Sequence, residues 1–454
     1  MADSLMALRS VLPEVAWPAL PSPAGAVSLA MQYQLEQSQW WPADKLRAQQ
    51  FRQLEILLRH AYDHVPFYRQ RLDEAGFMPP RALDEATFFR LPLLTRLQLQ
   101  QSFEALRSRH VPPSSGRVME GQTSGSTGTP ARFLSTESTG FYWRVFTLRD
   151  HLWHRRDFGA KLAAIRLKVK EGDWPGWGPS VDTAFHSGPS ATLDINRDVD
   201  EQLRWLEKQN PAYLLTFATN LEALVRRSQE LGIRLPALRE ARSISEMLSP
   251  GLRALVRDVW EVPLVDLYSS QEIGYIALQC PEHEHYHVQS ENALVELLRD
   301  DGTACAAGET GRVVLTSLHN FAMPLIRYEI GDYAEAGELC ACGRGLPVIR
   351  RVMGRVRNMV RLPGGVRHWP SLGMLSAMPA GLIRQFQCVQ RSLQQIDVRL
   401  VAARPLSVDE ETQLRAGIQE KLGYSFDLAI VYCEKLERGS GGKFEEFRCE
   451  ITDA

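Results

Sequence analysis

Nowhere does the sequence hold the roughly 18 consecutive apolar residues that a membrane-spanning helix needs, so insertion into a bilayer is not expected. An excess of one charge sign is also lacking: 52 Lys and Arg stand against 54 Asp and Glu, a formal charge of -2. Such balance gives no general attraction to nucleic acid or to an anionic membrane, and any phosphate binding must be built locally. The N-terminal stretch MADSLMALRSVLPEVAWPALPSP is broken by charges and prolines and lacks the basic start and apolar run of a secretion signal. A cytoplasmic location is therefore expected. Cysteine is sparse. The seven (Cys280, Cys305, Cys340, Cys342, Cys388, Cys433, Cys449) are too unevenly spread for a disulfide framework and should be thiols in a reducing compartment. Internal repeats and low-complexity tracts are absent as well.

What is present is ordinary globular composition, 44% hydrophobic and 23% charged over 454 residues. That length exceeds one ordinary domain, so two or three compact units sharing or flanking a cleft are expected. After a lead-in segment, residues 1–45, apolar residues at spacings of three and four (Leu54, Leu57, Leu58, Ala61) predict helix, broken at HVPFY. Residues 161–267 alternate short apolar runs (LAAIRL, AYLLTF, VPLVDLY) with amphipathic stretches, the pattern of an α/β unit with a largely parallel sheet. Beyond Tyr268 the segments NALVELL and GRVVLTSL, parted by Gly and Asp turns, predict a β-rich subdomain. A second change near Gly354 opens a β-α-β pattern (QIDVRLVA, SVDEETQLRAGIQEKLG, FDLAIVYCEKL). The expected fold class is α/β, with a large domain over residues 1–353 and a small α+β domain over residues 354–454.

The most informative stretch is Thr123-Ser124-Gly125-Ser126-Thr127-Gly128-Thr129-Pro130. Glycines let the backbone turn tightly and present its N–H groups, and the hydroxyls add donors, so the loop suits a polyphosphate. It is not a Walker loop, because no lysine follows the second glycine. On composition alone an exposed Ser/Gly linker fits equally. The pattern T-S-G-S-T-G-x-P resembles the phosphate loop of the adenylate-forming superfamily of acyl-CoA synthetases, luciferases and peptide-synthetase adenylation domains.

Further motifs follow in the order of that superfamily. Tyr268-Ser269-Ser270-Gln271-Glu272 resembles its Y-G-x-[TS]-E element, which implies Tyr268 stacking on adenine and Glu272 holding Mg²⁺. Ser269 and Gln271 depart from the pattern. Tyr328-Glu329-Ile330-Gly331-Asp332 resembles Y-x-[TS]-G-D, implying that Asp332 accepts hydrogen bonds from both ribose hydroxyls. Gly354-Arg355 with Arg357-Asn358 resembles the G-R-x-[DN] boundary, implying that Arg355 contacts the nucleotide and Arg357 marks the hinge, where aspartate is common. Gly441-Gly442-Lys443 resembles the element that carries the catalytic lysine. Ser245-Glu246 resembles a G-E element at the adenine edge, with a helix start before Pro250 as the plain alternative. Within the superfamily, His60-Ala61-Tyr62, Val65-Pro66-Phe67-Tyr68, Leu91-Pro92-Leu93-Leu94-Thr95, Met323-Pro324-Leu325-Ile326-Arg327-Tyr328 and Cys340-Ala341-Cys342-Gly343-Arg344 resemble the phenylacetate-CoA ligase-like branch, nearest its capsule-biosynthesis or deazaflavin-adenylylating subgroup.

Cys280, His287 and the pair Cys340-x-Cys342 supply three thiolates and an imidazole, a full tetrahedral set for structural Zn²⁺, with His283 and His285 competing for the imidazole place. Three unpaired thiols beside a surface histidine cluster are the plain alternative. The resemblance implies ATP with Mg²⁺ as cofactors and a small-molecule carboxylic acid as substrate. The acid becomes an acyl-adenylate with loss of pyrophosphate, and the acyl group passes to a thiol or amine acceptor, foremost coenzyme A. The small domain would act as a mobile lid delivering Lys443. Thr216-Phe217-Ala218-Thr219 and Phe141-Tyr142-Trp143 are the candidate acyl-pocket segments. A homodimer is compatible with this reading. Transfer of AMP to a hydroxyl of a cofactor or sugar, and a non-catalytic nucleotide binder, are the alternatives.

Overall fold

The computed structural model describes residues 7–79, 82–123, 130–249, 251–370, 382–439 and 443–451. The chain forms two compact units. The first holds Met1–Ala160, Trp174–Ser190 and Leu267–Val352, and the second holds Lys161–Asp173, Ala191–Asp266 and Met353–Ala454.

In the first unit the helical reading resolves into separate pieces. The helix Ala43–His64 buries Leu46, Gln50, Leu54, Leu57, Leu58 and Ala61 on one face, at the spacing that 3.6 residues per turn requires. It stops at Val65, whose extended backbone (φ -118°, ψ 103°) is what a following proline imposes, and Pro66 opens the next helix, Pro66–Glu74. An earlier helix, Pro23–Ser38, lies inside the lead-in segment; Ser22 caps it by accepting from the Gly25 N–H at 3.0 Å. The apolar face of Ala43–His64 joins a core with Leu294, Val313, Leu315 and Tyr328 from β-strands. Each leucine so buried contributes about 1.5–3 kcal/mol.

Those strands lie side by side in the order Ala293–Leu298, Thr310–Ser317, Tyr328–Ala336, Val348–Arg355, Tyr286–Val288 and Gly274–Gln279. The first three pair antiparallel, as expected of segments separated by Gly and Asp turns. Three of the branch-specific segments meet here. The Tyr68 hydroxyl donates to the Pro324 carbonyl (2.9 Å) and accepts from the Ile326 N–H (3.1 Å). Leu94 N–H donates to the Arg327 carbonyl (2.9 Å), and the Leu94 carbonyl accepts from Glu329 N–H (2.9 Å). The Arg327 guanidinium pairs with Glu296 at 2.7 Å and donates to the Phe89 and Leu91 carbonyls at 2.7 and 2.6 Å. A buried arginine is tolerable only with its donors so engaged.

In the second unit the strands Leu162–Arg166, Tyr213–Phe217 and Glu240–Ile244 pair in parallel, with Leu264–Asp266 following Glu240–Ile244 in register. The helices Val199–Gln209, Ala218–Leu231 and Leu252–Trp260 alternate with them and bury Leu203, Leu206, Leu221, Leu224, Val225 and Val256 against the sheet. This is the α/β unit read from the alternation of segments. The C-terminal strands run in the order Asp427–Tyr432, Gln395–Ala402, Ile383–Gln390 and Phe447–Cys449. Helix Val408–Leu422 connects two parallel strands, and its N-terminus carries a capping box between Ser407 and Glu410. The β-α-β order is the one read from the sequence.

Candidate active site

In the first unit, the strands Val118–Gln122 and Arg132–Thr136 form a hairpin in register from Val118↔Thr136 to Gln122↔Arg132. One step beyond the last pair, Thr123 N–H donates to the Ala131 carbonyl at 2.9 Å. The Thr123 hydroxyl oxygen accepts from Ala131 N–H (3.0 Å) and from Arg96 Nη2 (2.8 Å). Thr123 therefore staples the neck of the hydroxyl-rich loop. The other loop positions, Ser124, Gly125, Ser126, Thr127, Gly128 and Thr129, lie outside the described residues.

Tyr268 and Asp332 are 64 positions apart in sequence and meet through a hydrogen bond of 2.8 Å from the tyrosine Oη to the carboxylate Oδ2. Tyr268 sits on the strand Leu264–Ser270 and Asp332 on Tyr328–Ala336. An aromatic face and a carboxylate with further lone pairs are thus held together at one place. Glu272 follows Tyr268 in the turn after its strand and is buried. That turn is tightened by Ile273 N–H donating to Ser270 Oγ at 3.2 Å.

The cysteine and histidine set also converges. Ligand atoms of Cys280, His285, His287 and Cys340 all lie within 4.8 Å of one another. The Cys280 and Cys340 sulfurs are 3.9 Å apart, and Cys342 Sγ lies 3.4 Å from His287 Nε2. The mutually close four therefore include His285, with Cys342 at the edge. Five donor residues surround the place where four were expected. The reason is local: Cys280 directly follows the strand Gly274–Gln279, and the hairpin return brings both His285 and His287 back beside it. Burial pushes the His287 imidazole down to about 3, so the ring is neutral, the form that binds a metal. Cys280, His287 and Cys340 are buried.

In the second unit, Thr219 and Glu246 follow the carboxyl ends of two adjacent parallel strands, the edge where open α/β sheets bind ligands. Ser245, between the strand Glu240–Ile244 and Glu246, takes a left-handed backbone with φ 68°. Glu246 Oε2 accepts from Thr219 N–H (2.8 Å) and Thr219 Oγ1 (2.7 Å). Its Oε1 accepts from Phe444 N–H (2.6 Å) and Arg438 Nη1 (3.3 Å). The glutamate expected at an adenine edge is thus tied to the residue next to Lys443.

The segment around Lys443 is fixed on several sides. Gly439 N–H donates to the Lys443 carbonyl at 2.9 Å, closing the glycine-rich loop at its base. Arg357, expected at the hinge, pairs with Glu445, and Asn358 Nδ2 donates to the Phe447 carbonyl at 2.8 Å. Phe447–Cys449 then pairs in parallel with Cys388–Gln390. Arg355 ends the strand Val348–Arg355, and its carbonyl accepts from Trp369 Nε1 at 3.2 Å. Arg96, Arg438 and Thr219 in its clamping role escaped the sequence reading. A lone arginine five positions before a lysine carries no pattern, and its partner is 192 residues away.

Comparison with known proteins agrees with this architecture. Residues 372–447 match the family model of the CapK C-terminal domain. The phenylacetate-coenzyme A ligase of Escherichia coli (strain K12) is 23% identical over 427 residues, covering 88% of this chain and 93% of that enzyme. The phenylacetate-coenzyme A ligase of Thermus thermophilus is 25% identical over 392 residues, covering 80% of this chain and 83% of that enzyme. Among solved structures, 2-hydroxyisobutyryl-CoA ligase in its postadenylation state, in complex with R3-HIB-AMP, superposes with a TM-score of 0.72 at 18% identity, over 91% of this chain and 92% of that one.

Proposed function

We propose that this chain, an α/β protein with the fold of an acyl-adenylate-forming CoA ligase and with phenylacetate-coenzyme A ligases as relatives, activates a carboxylic acid with ATP and passes the acyl group to coenzyme A. The observation that carries the reading is the 2.8 Å pairing of Tyr268 with Asp332. A ring suited to stacking on a purine and a carboxylate suited to a ribose diol are brought together from distant strands.

On this reading the substrate carboxylate oxygen attacks the α-phosphorus of ATP, the bond from that phosphorus to the bridging oxygen breaks, and pyrophosphate leaves with the electron pair. The acceptor thiol, losing its proton to solvent, then attacks the acyl carbon, and the bond to AMP breaks. Displacement of this kind needs positioning and charge neutralisation more than an activated nucleophile. Residues 123–129 would cradle the phosphates, and Tyr268 and Asp332 would hold the nucleoside. Ser245, directly after the strand Glu240–Ile244, would line the adenine edge of the nucleotide. Lys443, an ammonium on a glycine-rich loop, would neutralise charge on the α-phosphate as it becomes five-coordinate, and Arg355 would contact the nucleotide. Mg²⁺, held by Glu272, would supply charge stabilisation to the phosphates. The alternating use of residues 354–454 as a lid over residues 1–353, turning about Arg355 and Arg357, belongs to the same proposal.

The cysteine and histidine cluster is proposed to hold a structural Zn²⁺. Two to three thiolates and one or two neutral imidazoles fit that ion, and a full set leaves no open position for chemistry.

The test is pyrophosphate release over a panel of aryl, fatty, amino and uronic acids, with and without coenzyme A. One acid class should release pyrophosphate and, with coenzyme A, give a thioester and free AMP. AMP retained on the product would replace the reading with adenylyl transfer to a hydroxyl, and no acid-dependent release at all would overturn it. Lys443→Ala should cost at least about 10²-fold in adenylation while a preformed acyl-adenylate still reacts with coenzyme A.

A further inference from the structure

The carboxylate of Glu246 has four donors, and they come from two sources. Thr219 N–H and Oγ1 belong to the same α/β sheet edge, at 2.8 and 2.7 Å. Phe444 N–H and Arg438 Nη1 come from the C-terminal segment, at 2.6 and 3.3 Å. The same Arg438 nitrogen reaches Thr219 Oγ1 at 3.1 Å, so the guanidinium closes the set into a ring of contacts. Arg438 and Phe444 flank Lys443 on its two sides, and the loop between them is closed by Gly439 N–H on the Lys443 carbonyl at 2.9 Å. A backbone N–H adjacent to Lys443 that is fixed on a carboxylate fixes the starting point of the lysine side chain. The carboxylate in turn is fixed by its own sheet edge, its side chain almost fully enclosed. Hydrogen bonds to a buried charge are among the stronger ones and tolerate little displacement.

We infer that Glu246 and Arg438 are positioning residues that dock the Lys443 loop on the carboxyl edge of the parallel strands, setting the lysine for the adenylation half-reaction and for that half alone. The inference rests on the proposed adenylation chemistry. The clamp has no role once the lysine is no longer needed, because thioester formation acts on the acyl carbon and not on the α-phosphate. Arg438 and Glu246 thus differ in kind from residues that bind ATP: they act through Lys443, and their loss should change the rate of its use and not the affinity for nucleotide.

Two measurements test this on the full-length chain. First, Arg438→Ala and Glu246→Gln are compared with wild type in acid-dependent ATP–pyrophosphate exchange and, separately, in thioester formation from a preformed acyl-adenylate and coenzyme A. Each variant should lower the exchange kcat by at least about tenfold with ATP KM changed less than about threefold, and leave the second half-reaction within about twofold. Equal losses in both half-reactions, or none in exchange, would overturn the inference. Second, hydrogen exchange of a peptide spanning residues 436–446 reads the clamp without catalysis. Its amides should exchange faster in both variants than in wild type, while a peptide from the helix Ala43–His64 is unchanged. Unaltered exchange at residues 436–446 would also overturn the docking. Faster hydrogen exchange in the variants than in wild type, together with no wild-type activity on any acid, would instead refute the adenylation reading while leaving the clamp standing.

Discussion

Gly354 shows at residue scale why a motif position tolerates one residue type. Its φ is +92°, and a Cβ there would meet Met247 Sδ at 2.9 Å. Methionine can swing aside, so the backbone decides: the left-handed region costs an L-residue about 1–2 kcal/mol. Gly354→Ala should lower unfolding free energy by about that amount, read as a shift of the denaturant midpoint at unchanged slope. Asp332 argues differently, because its proposed task is to accept hydrogen bonds from a ligand. Asp332→Asn retains the Tyr268 contact yet replaces one acceptor with a donor, so ATP KM should rise by roughly tenfold or more, measured in pyrophosphate exchange. The meeting of Tyr268 with Asp332 was legible in the sequence because each sits in a motif of several residues. Arg438 was not, since one arginine has no local pattern and its role exists only when the chain has folded.

At the scale of elements, periodicity proved the readable quantity. The helix Ala43–His64 and the strand–helix–strand order after residue 394 follow from spacing of apolar residues and from Ser407 and Glu410 at a helix start. The helix Pro23–Ser38 was hidden because it buries Gly25, Ser28, Leu35 and Ser38, mostly small or polar residues that leave no apolar stripe. The strand hairpin bearing Cys280, His285 and His287 is a stapled element on the proposed zinc reading. Metal analysis should give about one zinc per chain, and prolonged chelation should lower the melting temperature by at least about 5 °C, reversed by added zinc. The C-terminal strand Phe447–Cys449 is preceded by Glu446, whose carboxyl is pushed up to about 8, first by burial and then by the neighbouring Glu222 and Glu246, with Arg226 opposing. The sign follows from linkage. The docked segment binds a proton that a free glutamate would release near its ordinary value. Docking is therefore fullest at pH below that ordinary value and weakens as pH rises through about 8. Hydrogen-exchange protection of residues 443–449 should fall from pH 6 to 9, and Glu446→Gln should flatten the profile.

For the whole molecule, the proposed residue roles yield a separate expectation. Tyr268, Glu272 and Asp332 belong to the first unit, whereas Glu246, Arg355 and Lys443 belong to the second. If the first supplies nucleoside binding and Lys443 supplies charge only as the α-phosphate reacts, an unreactive acyl-adenylate analogue should not need the lysine. Binding to the folded state alone raises stability by RT ln(1 + [L]/Kd), about 2.7 kcal/mol at a hundredfold excess over Kd. The analogue of the acid identified by the pyrophosphate screen should therefore raise the melting temperature of wild type and of Lys443→Ala by similar amounts. Asp332→Asn should lose most of that rise at the same concentration, because the lost ribose contact weakens Kd. A Lys443→Ala chain that fails to respond while Asp332→Asn responds fully would reverse the roles, making the lysine a binding group and the aspartate a bystander.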